Sequence, residues 1–221
     1  MVWTGSAWPV LNRKFAVRRE WATRFNRWRY DVYAPLYDKL AQGFAAQRRR
    51  SLGLLNPQPG EQVLLVGAGT GLDLDFLVRC RHVTAIDIAP AMLQQLKERA
   101  ERLGMAVRAL EMDGQQLDFP DASFDAVALH LVLAVIPDPQ ACIREVERVL
   151  KPGGRVAVFD KFLADRSRAP LWRRAGNLVA RFVATDINRR LGDIVSVTKL
   201  QRIHDEDAGL GGFLHIALLR K

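Results

Sequence analysis

The stretch Val63-Leu64-Leu65-Val66-Gly67-Ala68-Gly69-Thr70-Gly71 decides how the rest of the chain is read. Four consecutive apolar residues make a strand buried on both faces, and the glycines after it make the turn out of that strand. Without a Cβ, backbone at such a turn can lie close to a ligand, and free N–H groups there attract polar or anionic groups. Taken alone, the loop is a weak signal, since a tight turn that binds nothing also fits it. Asp87 stands 20 residues beyond Gly67 at the end of a second apolar run. A carboxylate at that place can accept hydrogen bonds from both hydroxyls of a ribose. Asp113-Gly114 closes a third run at the same edge, where an adenine could be read. Three such features together point to a nucleotide-like ligand.

Outward from this loop, short β-rich runs alternate with helical patterns, the mark of a parallel sheet covered by crossover helices, so the fold class is α/β. Strands are expected at Val63–Val66, His82–Ile88, Val107–Met112, Phe124–Leu133 and Arg155–Phe159. Pro90 opens a helix that runs to about Leu103 before Gly104, and Pro139 opens another that stops before Pro152-Gly153-Gly154. Leu72–Val78 can form a helix. Ser196–Ile203 and Phe213–Leu219 read as a closing antiparallel pair joined through Asp205-Glu206-Asp207-Ala208-Gly209.

Several ligand classes fall away on spacing. A dinucleotide fingerprint G-x-G-x-x-G needs glycine where Leu72 stands, and no Tyr-x-x-x-Lys pair occurs, so a nicotinamide cofactor is the weaker reading. A P-loop is excluded, since no G-x-x-x-x-G-K-[ST] is present. With 221 residues, 49% of them hydrophobic and 26% charged, the chain has the make-up of an ordinary globular domain. Cys80 and Cys142 lie far apart with no Cys/His cluster, so no disulfide framework and no metal site is expected, and a reduced cytoplasmic setting fits. Met1–Val10 lacks a secretory pattern, and the longest apolar stretch, Ala126–Ile136, is shorter than the roughly 20 residues a spanning helix needs.

The ordered set of motifs narrows the reading further. The glycine-loop stretch, Ile86-Asp87-Ile88-Ala89-Pro90-Ala91-Met92-Leu93, Asp113-Gly114, Phe124-Asp125-Ala126-Val127 and Val149-Leu150-Lys151-Pro152-Gly153-Gly154 resemble those of class I S-adenosylmethionine (SAM)-dependent methyltransferases. The resemblance spans roughly residues 61–160. It implies a Rossmann-like, seven-stranded, mostly parallel sheet with helices on both faces. It also implies a SAM site made of Gly67, Ala68, Gly69 and Gly71 under the methionine part, and Asp87 on the ribose. Ile88 and Met92 would lie against the adenine, with Asp113 and Gly114 near its amine. The family commonly has an acidic residue where Leu65 stands, so the SAM amino group would fall to backbone carbonyls near Gly67 and Leu129. The product would be S-adenosylhomocysteine. More narrowly, Tyr30-Asp31, Tyr37-Asp38 and Leu131 to Pro139 look like bacterial phosphatidylethanolamine N-methyltransferases and, more loosely, quinone C-methyltransferases. The Tyr30 to Asp38 stretch would then be a lid over SAM, or a helix packed for stability.

Charge is distributed unevenly. The net +9 arises in two flanks: residues 1–50 hold 11 Lys/Arg against 3 Asp/Glu, and residues 161–202 hold 10 against 3. The domain reading therefore separates a basic, aromatic-rich N-terminal helical segment, residues 1–50, from a SAM-binding domain, residues 51–221. In the first flank Val10, Val17, Trp21, Phe25 and Trp28 fall within one helical arc beside arginines. In the second, Leu171, Trp172, Ala175, Leu178, Val179, Phe182 and Val183 recur at helical spacing. Such helices suit an anionic membrane surface, with about 1 kcal/mol per cation near it. Each alone also reads as a core-facing helix with a solvated basic face. No nucleic-acid-binding module is recognisable, so nucleic acid is not the expected partner, and a monomer or weak oligomer is expected.

Methyl transfer needs nucleophile, methyl and sulfur held in line in a dry pocket. His130, Tyr37 and Asp160 are the candidate proton acceptors, His130 foremost because it follows the fourth strand at the ligand edge. Tyr30, Lys161, Arg189 and Arg190 are the candidate substrate contacts, an arginine pairing with phosphate. The leading expectation is a peripheral enzyme on the inner face of the membrane that methylates a phospholipid amine. A small-molecule or quinone methyltransferase is the alternative, and a non-catalytic SAM-binding adaptor the distant one.

Overall fold

A computed structural model describes residues 42–163, 189–209 and 211–221. Seven strands, β1 (Gln62–Val66), β2 (His82–Asp87), β3 (Val107–Glu111), β4 (Phe124–His130), β5 (Leu150–Lys161), β6 (Gln201–Gly209) and β7 (Leu214–Arg220), form one sheet in the order β3-β2-β1-β4-β5-β7-β6. The first five are mutually parallel; β7 runs antiparallel to β5, and β6 antiparallel to β7. Among the described residues the α-helices are α1 (Ala45–Leu55), α2 (Pro90–Arg102), α3 (Pro139–Val149) and the short α4 (Leu191–Val195). This is the seven-stranded, mostly parallel α/β sheet that the motifs implied.

The apolar runs are continuous because both faces of the sheet are covered. Val63 and Leu65 of β1 join Ala126 and Ala128 of β4 in a cluster with Leu52 and Leu55 of α1 and Leu96 of α2. Leu64, Val66, Val127 and Leu129 face the other way, onto Ile143 and Val146 of α3 and Ile194 of α4. Pro90 and Pro139 each open a helix as expected, and α3 gains a cap in which Asp138 Oδ1 accepts from the Ala141 N–H at 2.9 Å. Helix α1 spans position 50, at which the sequence reading divided the chain, and Arg155 fixes its end by donating to the Leu55 carbonyl at 2.9 Å. Residues 45–50 therefore belong to the packed body.

Four expectations are corrected. Between β1 and β2 the chain forms only a 3-10 turn, Leu74–Phe76, in place of a helix over Leu72–Val78. Repeated i to i+3 bonds, such as Leu77 N–H to Leu74 O, suit a path that must retrace the strand, because 3-10 geometry rises farther per residue than an α-helix. Strand β4 ends at His130, three residues early, because Leu131 adopts φ 59° and turns the chain out of the sheet. Strand β5 extends to both sides of Arg155–Phe159. Strand β6 lies at Gln201–Gly209, so the acidic run thought to join two strands is itself a strand. As an edge strand it has one partner and carries exposed Arg202, Asp205 and Asp207, with register shifts between Arg202 and His204 and between Asp207 and Gly209.

The strand order reverses between β1 and β4. Crossovers leaving a sheet to opposite sides at such a point open a crevice at the carboxyl ends of the strands, where α/β proteins bind ligands.

Candidate active site

That crevice is an open cleft with about 650 Å³ of empty space including its mouth. Its floor is Val66, Gly67 and Gly69 after β1, and one side is Asp87, Ile88 and Met92. Met112, Asp113, Gly114 and Gln115 follow β3, and Leu131, Val132, Val135, Ile136 and Pro137 form the wall after β4. Seven of the ten residues expected to hold the cofactor thus line one cleft. Ala68, Gly71 and Leu129 do not. Leu129 is buried in the core, and a Cβ on Gly71 would meet Leu96 at 2.9 Å and Leu74 at 3.1 Å, so that glycine serves packing.

The glycine loop is built against the cleft wall. Gly67 has φ 65°, and a Cβ there would lie 2.6 Å from Val132 Cγ2. Asp87 organises the loop from the neighbouring strand: its Oδ2 accepts from the Gly69 N–H at 2.9 Å and its Oδ1 from the Ala89 N–H at 3.0 Å. Each carboxylate oxygen can accept more than one bond, so the group that shapes the loop can also meet a hydroxyl. On the far side Asp113 accepts from the Gln115 N–H and side-chain amide, both at 2.9 Å, while Gln115 Oε1 accepts from the Asp138 N–H at 2.8 Å. Gln115 went unnoticed in the sequence; only its place one residue past Asp113-Gly114 could have flagged it.

The candidates for chemistry are placed otherwise. Asp160 does not line the cleft: it is fully buried, its Oδ2 accepting from the Ala134 N–H at 2.9 Å and its Oδ1 from the Lys161 N–H at 2.8 Å. Burial pushes its carboxyl above the usual range, with Lys161, the two N–H groups and Arg189 pulling the other way. Arg189 Nη1 donates to the carbonyls of Leu133 and Ile136, the latter at 2.7 Å. Arg190 directly precedes α4, and Lys161 pairs with Leu214 of β7, neither lining the cleft. Tyr30 and Tyr37, the tryptophan-rich first flank and the tract 171–183 lie outside the described residues.

His130 is the clearest correction. Its ring turns to the α1 side of the sheet, where Nδ1 lies 2.8 Å from Asp73 Oδ1 and Nε2 lies 2.9 Å from Ser51 Oγ. Arg48 Nη1 donates to the same Asp73 oxygen at 2.9 Å. An ionised carboxylate only accepts, so Nδ1 carries a proton toward Asp73, while Nε2 faces the Ser51 hydroxyl. The spacing matches a hydrolytic triad, but Ser51 is 0% exposed, Asp73 3%, His130 4% and Arg48 4%, so no substrate reaches them. Burial would raise the Asp73 carboxyl, yet His130 and Arg48 together hold it well below the usual range. The network ties α1 and β4 to the turn after the glycine loop.

A family described as "Methyltransferase domain" matches residues 64–158. The chain is 34% identical over 159 residues to a phosphatidylethanolamine N-methyltransferase of Cereibacter sphaeroides, covering 71% of this chain and 75% of that protein. The chain belongs to the SAM-dependent methyltransferases. This methyltransferase is also 37% identical over 140 residues to a demethylmenaquinone methyltransferase of Thermus thermophilus, covering 59% of its own length and 63% of the relative. Among solved structures it is similar to the [4+2]-cyclase SpnF, with TM-score 0.73, 18% identity and coverage of 90% and 96% of the two chains. It is likewise similar to a SAM-dependent methyltransferase of Aquifex aeolicus, with TM-score 0.66, 18% identity and coverage of 86% and 97%. At such identities the structures show the fold alone. Within the described residues of the methyltransferase, no helix is long and apolar enough to cross a membrane.

Proposed function

We propose that this methyltransferase N-methylates a phospholipid amine headgroup of the phosphatidylethanolamine type at an anionic membrane surface. The observation that carries the reading is 34% identity across three quarters of a relative bearing that activity in its name. The charge distribution supports it: residues 51–160 hold 10 Lys/Arg against 15 Asp/Glu, and the cations concentrate with tryptophans in the flanks. Cations beside aromatic rings are what an interfacial segment needs, with the active site then facing the inner leaflet.

The chemistry of the cleft lining supports SAM as its occupant. Asp87 would take the ribose hydroxyls, Ile88 and Met92 would cover the adenine, and Asp113 with Gly114 would read its amine. The backbone at Gly67 and Gly69 would lie under the methionine part, with a Cβ at Gly67 shut out by Val132. Bound there, SAM supplies a methyl group activated by its sulfonium charge. Val132, Val135 and Ile136 make the wall apolar, which excludes water from the transfer. Asp87 and Asp113 are the ionisable residues that line the described cleft, and both already hold backbone N–H groups. Proton acceptance from the amine therefore passes to Tyr37 among the sequence candidates, and headgroup contact to Tyr30.

Incubation with radiolabelled SAM and a total bacterial lipid extract tests the reading. Label in phosphatidylethanolamine derivatives supports it. Label in a quinol fraction and none in the aminolipids refutes it and favours quinone C-methylation, the second reading, which rests on 37% identity to the Thermus thermophilus relative.

A further inference from the structure

The wall Leu131–Pro137 is irregular chain, yet Leu133 and Ala134 are buried, and buried backbone groups outside helix and sheet need partners. Leu131 begins the wall in a left-handed conformation, its N–H bonded to the Phe159 carbonyl at 2.7 Å. Beyond it, the Val135 and Ile136 N–H groups bond the Val132 carbonyl at 3.1 and 2.9 Å, and side chains from distant elements hold the Ala134 N–H and two of the carbonyls. The carboxylate of Asp160, on β5, holds the Ala134 N–H, and the guanidinium of Arg189, ahead of α4, holds the Leu133 and Ile136 carbonyls. Neither residue lines the cleft, whereas Val132, Val135 and Ile136, on the same seven-residue wall, do.

We propose that Asp160 and Arg189 are positioning residues that fix the apolar wall of the cofactor cleft from behind, and so set SAM affinity without contacting cofactor or methyl acceptor. The argument rests on the reading that SAM occupies this cleft. Dispersion contact decays within a fraction of an ångström, so a wall that loses these two side chains, and keeps only its backbone bonds, loosens its contact with whatever the cleft holds. Asp160→Asn replaces one accepting oxygen with a donor that must face an N–H. Arg189→Ala leaves two carbonyls without that donor. Both changes act through the same seven residues, and their effects are therefore coupled.

The test is calorimetric titration of the full chain with S-adenosylhomocysteine, alongside hydrogen exchange of the 131–138 amides. Each single variant is expected to weaken binding about tenfold, and the double variant no more than about threefold beyond the worse single. Arg189→Lys, which keeps charge and donors, should recover most of the loss. If Arg189→Ala does not fold, Asp160→Asn and Arg189→Lys carry the comparison. In activity assays on phosphatidylethanolamine vesicles, Asp160→Asn should raise the KM for SAM while the pH profile of kcat keeps its shape. Unchanged affinity in the folded single variants overturns the proposal, as does full additivity, or loss of the acid limb of kcat at unchanged affinity. Binding to the wild-type chain without protection of the 131–138 amides would overturn the cleft assignment and this proposal with it. Protection in the wild type, with wild-type affinity in the variants, overturns this proposal alone.

Discussion

Truncating His130 to alanine separates a proton acceptor from a structural anchor. The ring makes two buried side-chain hydrogen bonds and an edge contact with Phe159 at 5.8 Å between centroids. Its removal leaves the Ser51 hydroxyl without this partner, which costs about 1–3 kcal/mol. Deleting an aromatic side chain from a closed core costs about 3–5 kcal/mol through lost transfer energy and the cavity left behind. Asp73 keeps Arg48, so no unpaired buried charge is added. These contributions overlap, and the expected loss is about 4 kcal/mol, a large share of the 5–15 kcal/mol typical of a folded domain. Equilibrium urea unfolding followed by far-UV circular dichroism measures it, with Ser51→Ala alongside, expected near 1 kcal/mol. Assayed well below its melting temperature with saturating SAM, the folded variant should keep kcat within about threefold, since general-base catalysis is worth about a hundredfold or more. A stability loss under about 1 kcal/mol together with a hundredfold fall in kcat would falsify the reasoning and return His130 to the reaction centre.

Other outcomes follow from the same geometry. Asp87→Ala should abolish measurable SAM binding and loosen the Gly69 and Ala89 amides; calorimetric affinity equal to wild type would contradict it. Gly67→Ala, with its Cβ 2.6 Å from Val132, should destabilise by about 1–3 kcal/mol and weaken cofactor binding, read by thermal unfolding with and without S-adenosylhomocysteine. Acid titration should show stability falling once pH drops below about 4.5. Asp73 lies below its ordinary 3.8, and the Arg50 guanidinium, with His204, holds Glu206 at about 2 instead of 4.5. Carboxyls depressed in the folded state contribute stability above their unfolded values and lose it as they protonate. Asp73→Asn should therefore flatten that acid limb; an unchanged slope would disprove the assignment. Sedimentation with anionic and neutral liposomes tests the flanks: equal, negligible binding would remove the membrane reading.

The parts of this molecule legible in sequence were those encoded locally. β1, β2 and β4 announced themselves as apolar runs because both their faces are covered, and α2 and α3 because Pro90 and Pro139 open them. Asp87 and Asp113 could be placed at the cleft because each stands at or just past the carboxyl end of a parallel strand, Asp113 directly before Gly114 and Asp87 20 residues beyond Gly67. What escaped was long-range pairing. Nothing near His130 in sequence reveals that its partners are Asp73 and Ser51, 57 and 79 residues away. Arg189 likewise looked free for a phosphate because the carbonyls it meets lie 56 and 53 residues earlier. Strand β6 was misplaced for a different reason. An edge strand has a single neighbour and much exposed surface, so its run of Asp205, Glu206 and Asp207 carries the polarity of a loop.

That same edge has a consequence for self-association. A sheet of seven strands ending in free N–H and C=O groups is a template on which another copy of the chain could continue the ladder. Strand β6 blocks this in two ways. Ile203 and Ala208 are the extra residues at its two register shifts, and such bulges twist an edge away from flat pairing. Arg202, Asp205 and Asp207 add charges that a docking strand would have to strip of water. Strand β6 is thus a poor template for a further strand.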